Sequence, residues 1–245
     1  MTTRWKLWPA LILLGLLAPL QAAQSQVATQ AGPVAGIDQA AESKAIDAAS
    51  AFITSGKPAE AISILDKLIA DRERVHGSDT RLIFNSRSTA EAIVYSGLAV
   101  QQKRDSVVYG ENWSLAYFLK GFALIDLNRP AEAKPMYDKA LALSPMNSHY
   151  LGELAEWHKN NKDFPAALDM FARALDAAEF SPDEAKVFDG TRALRGMAFI
   201  LIEQGKLDEA EKRLNEALKM DPNDAKAKGE LQYIADRRAQ LRKGA

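Results

Sequence analysis

A 34-residue period governs this chain. Residues 114–147 laid over 148–181, and over 191–224 after nine residues are skipped, put the same residue types in the same columns. Within each unit apolar positions recur at spacings of three and four, which is the helical period. From about residue 40 onward only helical signals are found, and no β-branched alternation is long enough for a strand. Such a chain is expected to fold as stacked helical pairs, each covering the apolar face of the next. Its 245 residues suffice for one elongated or two small domains.

The second half of each unit carries the clearest pattern. It reads Arg129-Pro130-Ala131-Glu132-Ala133 with Tyr137, Ala140 and Leu141, then Asp163-Phe164-Pro165-Ala166-Ala167 with Phe171, Ala174 and Leu175. A third copy has Lys206-Leu207-Asp208-Glu209-Ala210 with Leu214, Ala217 and Leu218, and an earlier one has Lys57-Pro58-Ala59-Glu60-Ala61 with Leu65, Leu68 and Ile69. The small residue lets the preceding helix pack closely, and the bulky one four later covers the same face one turn on. In the first halves Tyr117, Gly121 and Leu124 align with Leu151, Ala155 and His158, and with Leu194, Ala198 and Leu201. Gly56, Asn128, Lys162 and Gly205 mark the turns, where a left-handed residue ends the first helix. Lysine is a poor choice there. Pro145 and Pro222 stop the second helices.

A 34-residue helix–turn–helix with these residue types at these offsets resembles the tetratricopeptide-repeat (TPR) family. The resemblance covers roughly residues 42–224 and implies an all-α, right-handed superhelical solenoid with a C-terminal capping helix. The expected organisation is a signal peptide at 1–23, a lead-in at 24–40 and a repeat domain at 41–245. Its units are 42–75, a degenerate helical pair at 76–113, then 114–147, 148–181 and 191–224, with a cap helix at 225–243 whose outer side carries Lys226, Lys228, Arg237 and Arg238. Three departures stand out: Lys120 replaces a leucine, Pro135 falls inside a helix it should kink, and Glu179 takes a terminal-proline position. Ser88-x-x-Glu91 reads as a capping box opening a helix toward Lys103. Ser181-Pro182-Asp183-Glu184 combines an N-cap, a first-turn proline and a capping glutamate, and starts an unusually long helix reaching about Gln204.

The N-terminus reads as an export signal. Arg4 and Lys6 precede the 14-residue apolar run Leu7–Leu20, and small residues follow at Ala22 and Ala23. The run is short of the roughly 20 residues that span a bilayer. An uncleaved anchor is the alternative, and a lipid anchor is excluded because the chain has no cysteine. Without a cysteine there are also no disulfides, thiol chemistry or thiolate metal sites. Net charge is −1, or −3 once the two leader cations are removed, which does not suit a nucleic-acid binder.

No catalytic constellation is found. His76, His149 and His158 form no metal-ligand spacing, and there is no G-x-S-x-G, phosphate-cradling loop or G-x-G-x-x-G. His158 is expected to be packed or half-buried, and Asn112-Trp113-Ser114 to begin a helix. No enzyme activity, cofactor or metal is expected.

What the resemblance does imply is a partner-binding groove lined by the first helices. Positions two, five, nine, twelve and thirteen of each unit supply Leu115, Phe118, Phe122, Ile125 and Asp126, then His149, Gly152, Glu156, Lys159 and Asn160, then Arg192, Arg195, Phe199, Ile202 and Glu203. This would offer an apolar patch beside a cationic one, suited to a peptide or helix carrying an acidic group. Phe118 and Phe122 packing under residues 76–113, and Arg192 and Arg195 pairing with Asp189 or Glu184, are the structural alternatives. The expected function is a non-catalytic interaction scaffold or adaptor in the bacterial periplasm or envelope, binding a protein or peptide and no nucleic acid. A permanent accessory subunit of an envelope enzyme, assembly or transport complex is the second reading. A homodimer through the long helix is the third.

Overall fold

The computed structural model describes residues 37–243; the expected signal peptide and the lead-in up to residue 36 lie outside the described residues. Ten α-helices and two short strands follow in the order α1 (Gln39–Thr54), α2 (Pro58–His76), β1 (Leu82–Ser86), α3 (Thr89–Gln101), β2 (Ser106–Gly110), α4 (Asn112–Asp126), α5 (Pro130–Leu143), α6 (Ser148–Asn160), α7 (Phe164–Ala177), α8 (Asp183–Glu203), α9 (Leu207–Met220) and α10 (Ala225–Lys243). Helices α1/α2, α4/α5, α6/α7 and α8/α9 pack as pairs, and α10 covers the last pair.

The repeated columns form the core. Ala61, Ala133, Ala167 and Ala210 are all fully buried, and Leu65, Tyr137, Phe171 and Leu214 one turn later are at most 2% exposed. Gly121 shows why the column must be small: a Cβ there would lie 2.6 Å from the Tyr137 ring. Gly196 on α8 plays the same part for Phe171, whose ring would be 2.3 Å away. Burying these faces, rather than helix propensity, is what holds short helices together.

All four turns end in the left-handed region, with φ of 74° at Gly56, 58° at Asn128, 62° at Lys162 and 75° at Gly205. A β-carbon in that conformation costs roughly 1–2 kcal/mol. Lys162→Gly is therefore expected to stabilise the protein by about 1 kcal/mol, after the extra unfolded-state entropy of glycine is subtracted. A urea midpoint unchanged or lowered by this substitution would contradict the strain. Pro135 lies inside α5, which continues through it to Leu143.

Residues 76–113 depart from expectation. Instead of a degenerate helical pair they form strand, helix and strand, with β1 and β2 paired in parallel from Leu82↔Ser106 to Ser86↔Gly110. The repeat stack passes it by, since α2 packs directly on α4. Both faces of this small sheet are covered. Leu82, Phe84 and Val108 pack against Tyr95 and Ala99 of α3; on the other face the Tyr109 ring lies 5.2 Å from His76 and 5.7 Å from the Arg72 guanidinium. Strands buried on both sides lose the apolar–polar alternation that announces a strand, and five residues are too few to show it.

This insertion is fastened along one edge of the solenoid. The Asn85 side-chain carbonyl accepts from the Ser114 backbone N–H at 3.0 Å, capping α4, and its backbone carbonyl accepts from the Ser144 hydroxyl at 2.7 Å. Met146, in the turn between α5 and α6, packs against the Phe84–Tyr95 cluster. Ser88 caps α3 through the Glu91 N–H, and its hydroxyl donates to the Phe180 carbonyl at 2.8 Å. The expected long helix is present as the 21-residue α8, but Ser181 does not cap it: Pro182 is the N-cap, without a side-chain bond. The Ser181 hydroxyl is drawn instead into the insertion's polar contacts.

Candidate partner-binding groove

The first helices α4, α6 and α8 carry the expected groove positions, and their side chains divide into three groups. Leu115 and Phe118 are core, 7% and 3% exposed. The Phe118 ring stacks on Tyr150 at 4.6 Å and meets His149 at 5.1 Å and Tyr137 at 5.8 Å, so neither residue is a contact surface for a partner. Gly152 and Ile202 are buried too. Phe122 is half-buried on the first core cluster. Exposed are Ile125 (38%), Phe199 (41%), Asp126, Asn160 and Glu203.

The remaining positions form charge pairs. Arg192 crosses Gly152, donates to Glu153 Oε1 at 2.6 Å and sits 3.4 Å from His149 Nδ1. Arg195 pairs with Asp224. The other Asp224 oxygen accepts from the N–H groups of Lys226 and Ala227, so one carboxylate both caps α10 and fixes it to α8. Lys159 Nζ lies 2.5 Å from Glu156 Oε2 and 4.7 Å from the centre of the Phe199 ring. The cationic patch expected from Arg192 and Arg195 is thus neutralised within the protein, by Glu153 and Asp224 rather than by the Asp189 or Glu184 alternatives. Arginine beside these acids saves each carboxylate from being buried alone.

Glu230 of α10 was invisible in the sequence, one of two acids, with Asp236, among lysines and arginines. Its Oε2 is buried without a hydrogen bond. Burial pushes its carboxyl up to about 7, with Asp224 and Glu156 adding to the rise and Arg195 and Lys159 opposing it. Asp126 is raised by burial as well. Nor does α10 leave Arg238 to solvent, because it pairs with Glu211 at 2.6 Å and with Asp208.

A second polar cluster joins the insertion to α8. Arg87 Nε and Nη2 donate to Glu91 Oε1 at 2.9 and 2.7 Å, and its backbone N–H donates to Oε2 at 2.7 Å. Arg87 Nη2 also reaches the Ser181 hydroxyl at 3.0 Å, which donates to Asp189 Oδ2 at 2.9 Å. Asp189 Oδ1 is 3.7 Å from His149. Burial would raise Asp189, but the nearby His149 ring, the Arg87 charge and the Ser181 hydroxyl outweigh it and hold the carboxyl at about 2. Glu111, buried beside them, is pushed up to about 7 by burial, with Arg87 opposing and Glu91 adding. The capping box was legible; the partner 102 residues away was not.

His158 is half-buried, its Nδ1 3.1 Å from Asp163 Oδ2 and its ring against Trp157. Asn112 begins α4. Among the described residues no group of three or more His, Asp or Glu side chains could hold a metal ion, and no helix is long and apolar enough to cross a membrane.

Two tetratricopeptide-repeat family models match the chain, one over residues 145–223 and one over residues 115–147. No curated protein matches the sequence. Among solved structures, one described as the functional characterization of Pseudomonas aeruginosa PilF superposes with a TM-score of 0.56 at 14% identity, covering 82% of this chain and 70% of that one. The first TPR domain of human RPAP3 gives a TM-score of 0.40 at 22% identity over 56% of this chain and all 100% of its own. The first TPR of Spaghetti (RPAP3), solved with an HSP90 peptide, gives 0.38 at 23% identity over 51% of this chain and 93% of that one. Residues 115–223 are therefore recognised tetratricopeptide repeats, and the fold is that of an all-α TPR solenoid edged by one strand–helix–strand insertion.

Proposed function

We propose that this chain is a non-catalytic scaffold that holds a segment of a partner protein along the α4–α6–α8 face, and that it works in the bacterial envelope after export. TPR folds commonly serve as interaction modules, and no set of groups arranged for catalysis was found in the sequence. The observation that carries the reading is Phe199: a ring 41% exposed on a first helix, with the Lys159 ammonium over it. A large apolar side chain left open beside polar ones is how a contact surface is built. Ile125, 38% exposed on α4, extends the apolar character of the face.

The partner chemistry follows from the pairing of charges. With Arg192 and Arg195 already engaged, the face has no loose arginine fork for a carboxylate, so the segment docks an apolar side chain on Phe199. Export rests on the basic, apolar and small-residue stretches of residues 1–23.

A photo-crosslinking amino acid placed at position 199 in intact cells tests both parts, with the same group at Asp169, exposed on the second helix α7, as control. We expect a discrete adduct from position 199, found in the envelope fraction, and none from 169. Equal labelling from both positions, or an adduct confined to the cytoplasm, would defeat the reading.

A further inference from the structure

The outward face of α3 carries Ile93 and Val100 beside the exposed Thr89 and Ser96, and no described residue covers these two apolar side chains. Ile93 is 66% exposed and Val100 76%, and Gly97 lies between them on the same side. A glycine inside a helix costs about 1 kcal/mol relative to alanine. Here no internal contact requires it: a Cβ on Gly97 would meet no atom within 4 Å, whereas Gly121 and Gly196 are each demanded by a ring. A gap in an apolar stripe is useful where another helix approaches closely.

The two ends of the stripe differ in charge. Just past the α3 C-terminus Lys103, Arg104 and Asp105 are exposed, a net positive end, with Arg104 Nη2 donating to the Thr80 carbonyl at 2.9 Å. At its N-terminus Ser88 and Arg87 hold the Phe180–Ser181 turn, which brings the exposed Glu179, Asp183 and Glu184 alongside, with Lys186 pairing to Asp183 alone. A surface that is apolar in the middle, basic at one end and acidic at the other is complementary to itself when turned end for end. We propose that α3 packs antiparallel against α3 of a second copy about a twofold axis, with Gly97 near the crossing. Lys103 and Arg104 of each chain then face Glu179 and Glu184 of the other. A closed, isologous pair of this kind is the commonest form of association. Two helices of roughly 20 Å each bury little area, so the dimer is weak and concentration-dependent. This moves self-association away from α8, the long helix, whose one large apolar side chain on its N-terminal extension that is well exposed is Val187 at 45%.

Sedimentation equilibrium of the purified protein at about 10 μM and about 1 mM brackets the affinity of a small interface. The weight-average mass is expected to rise toward twice that of one chain at the higher concentration. Gly97→Gln and Ile93→Glu should both remain single chains there. The glutamine variant has better helix propensity and open space, so its monomer is expected to melt no lower than the wild type. Lys103→Glu with Arg104→Glu should weaken association about tenfold, and adding Glu179→Lys and Glu184→Lys to that chain should restore it. Wild-type protein that stays monomeric at 1 mM overturns the proposal and leaves the stripe to a different protein. A dimer indifferent to Gly97→Gln and Ile93→Glu overturns the surface, and one indifferent to the charge reversal overturns the antiparallel arrangement.

Discussion

Arg87→Met is expected to destabilise the protein by about 3–5 kcal/mol, the usual cost of removing one partner from a buried ion pair. Glu91, with no exposed surface, and Asp189, 4% exposed, would lose the guanidinium that faces both. Methionine fills the volume but supplies no donor. The Arg87 backbone N–H still reaches Glu91, which places the effect toward the lower end of that range. The loss should not be spread evenly. Hydrogen exchange is expected to accelerate in α3 and in the first two turns of α8, while α9 and α10 keep wild-type protection. Arg87→Lys keeps the charge without the fork and should fall between the two. A urea midpoint implying less than 1 kcal/mol for Arg87→Met would show that the cluster contributes little.

Glu111→Gln should act in the opposite direction. The Glu111 carboxyl titrates near 7 in the folded chain, pushed there by burial and by Glu91 despite Arg87, with Tyr150 also facing it. In the unfolded chain it titrates at an ordinary 4.3 or so. The folded state therefore binds the extra proton between those values, and stability falls as pH rises from about 4.5 to about 7, remaining low above that. A gap of that size amounts to at most roughly 3.7 kcal/mol. The amide has no charge to desolvate, so Glu111→Gln should raise stability by about 2–3 kcal/mol at pH 8 and change it little at pH 4. Glu230, also raised to about 7, leaves part of the same slope in the variant. Asp189 has the reverse sign: held at about 2, it stabilises above its unfolded value and is lost in stronger acid. Equal effects of Glu111→Gln at pH 4 and pH 8 would mean the carboxyl is not desolvated.

The parts of the fold that were legible in advance are those where one residue does one local job. Gly56, Asn128 and Gly205 announce left-handed turns because few residues tolerate them, Lys162 is found only by its place in the repeat, and the Ala133 and Tyr137 columns announce a helix crossing because a ring needs a gap. The long α8 was legible from its uninterrupted period and its proline at the start. The strands were not, because Leu82–Ser86 and Ser106–Gly110 are short and covered on both faces. The residues expected to line a groove lie on the first helices α4, α6 and α8, but their surroundings were not legible. Arg192 and Arg195 lie on the first helix as the pattern requires, yet whether they face solvent depends on Glu153 and Asp224, 39 and 29 residues away. Phe118 was misjudged for the same reason, since Tyr150 comes from the next unit.

The insertion also changes what kind of material the solenoid is. A stack whose units touch only their neighbours behaves as a soft spring, opening and twisting by small increments at each joint. Here one rib runs along the edge and is fastened at the start of α4, at the end of α5 and at the turn before α8, so the joints it crosses cannot open independently. The curvature of the α4–α6–α8 face is consequently set before any partner arrives. If the proposed partner segment docks there, it would meet a surface that needs little reordering and admits few shapes.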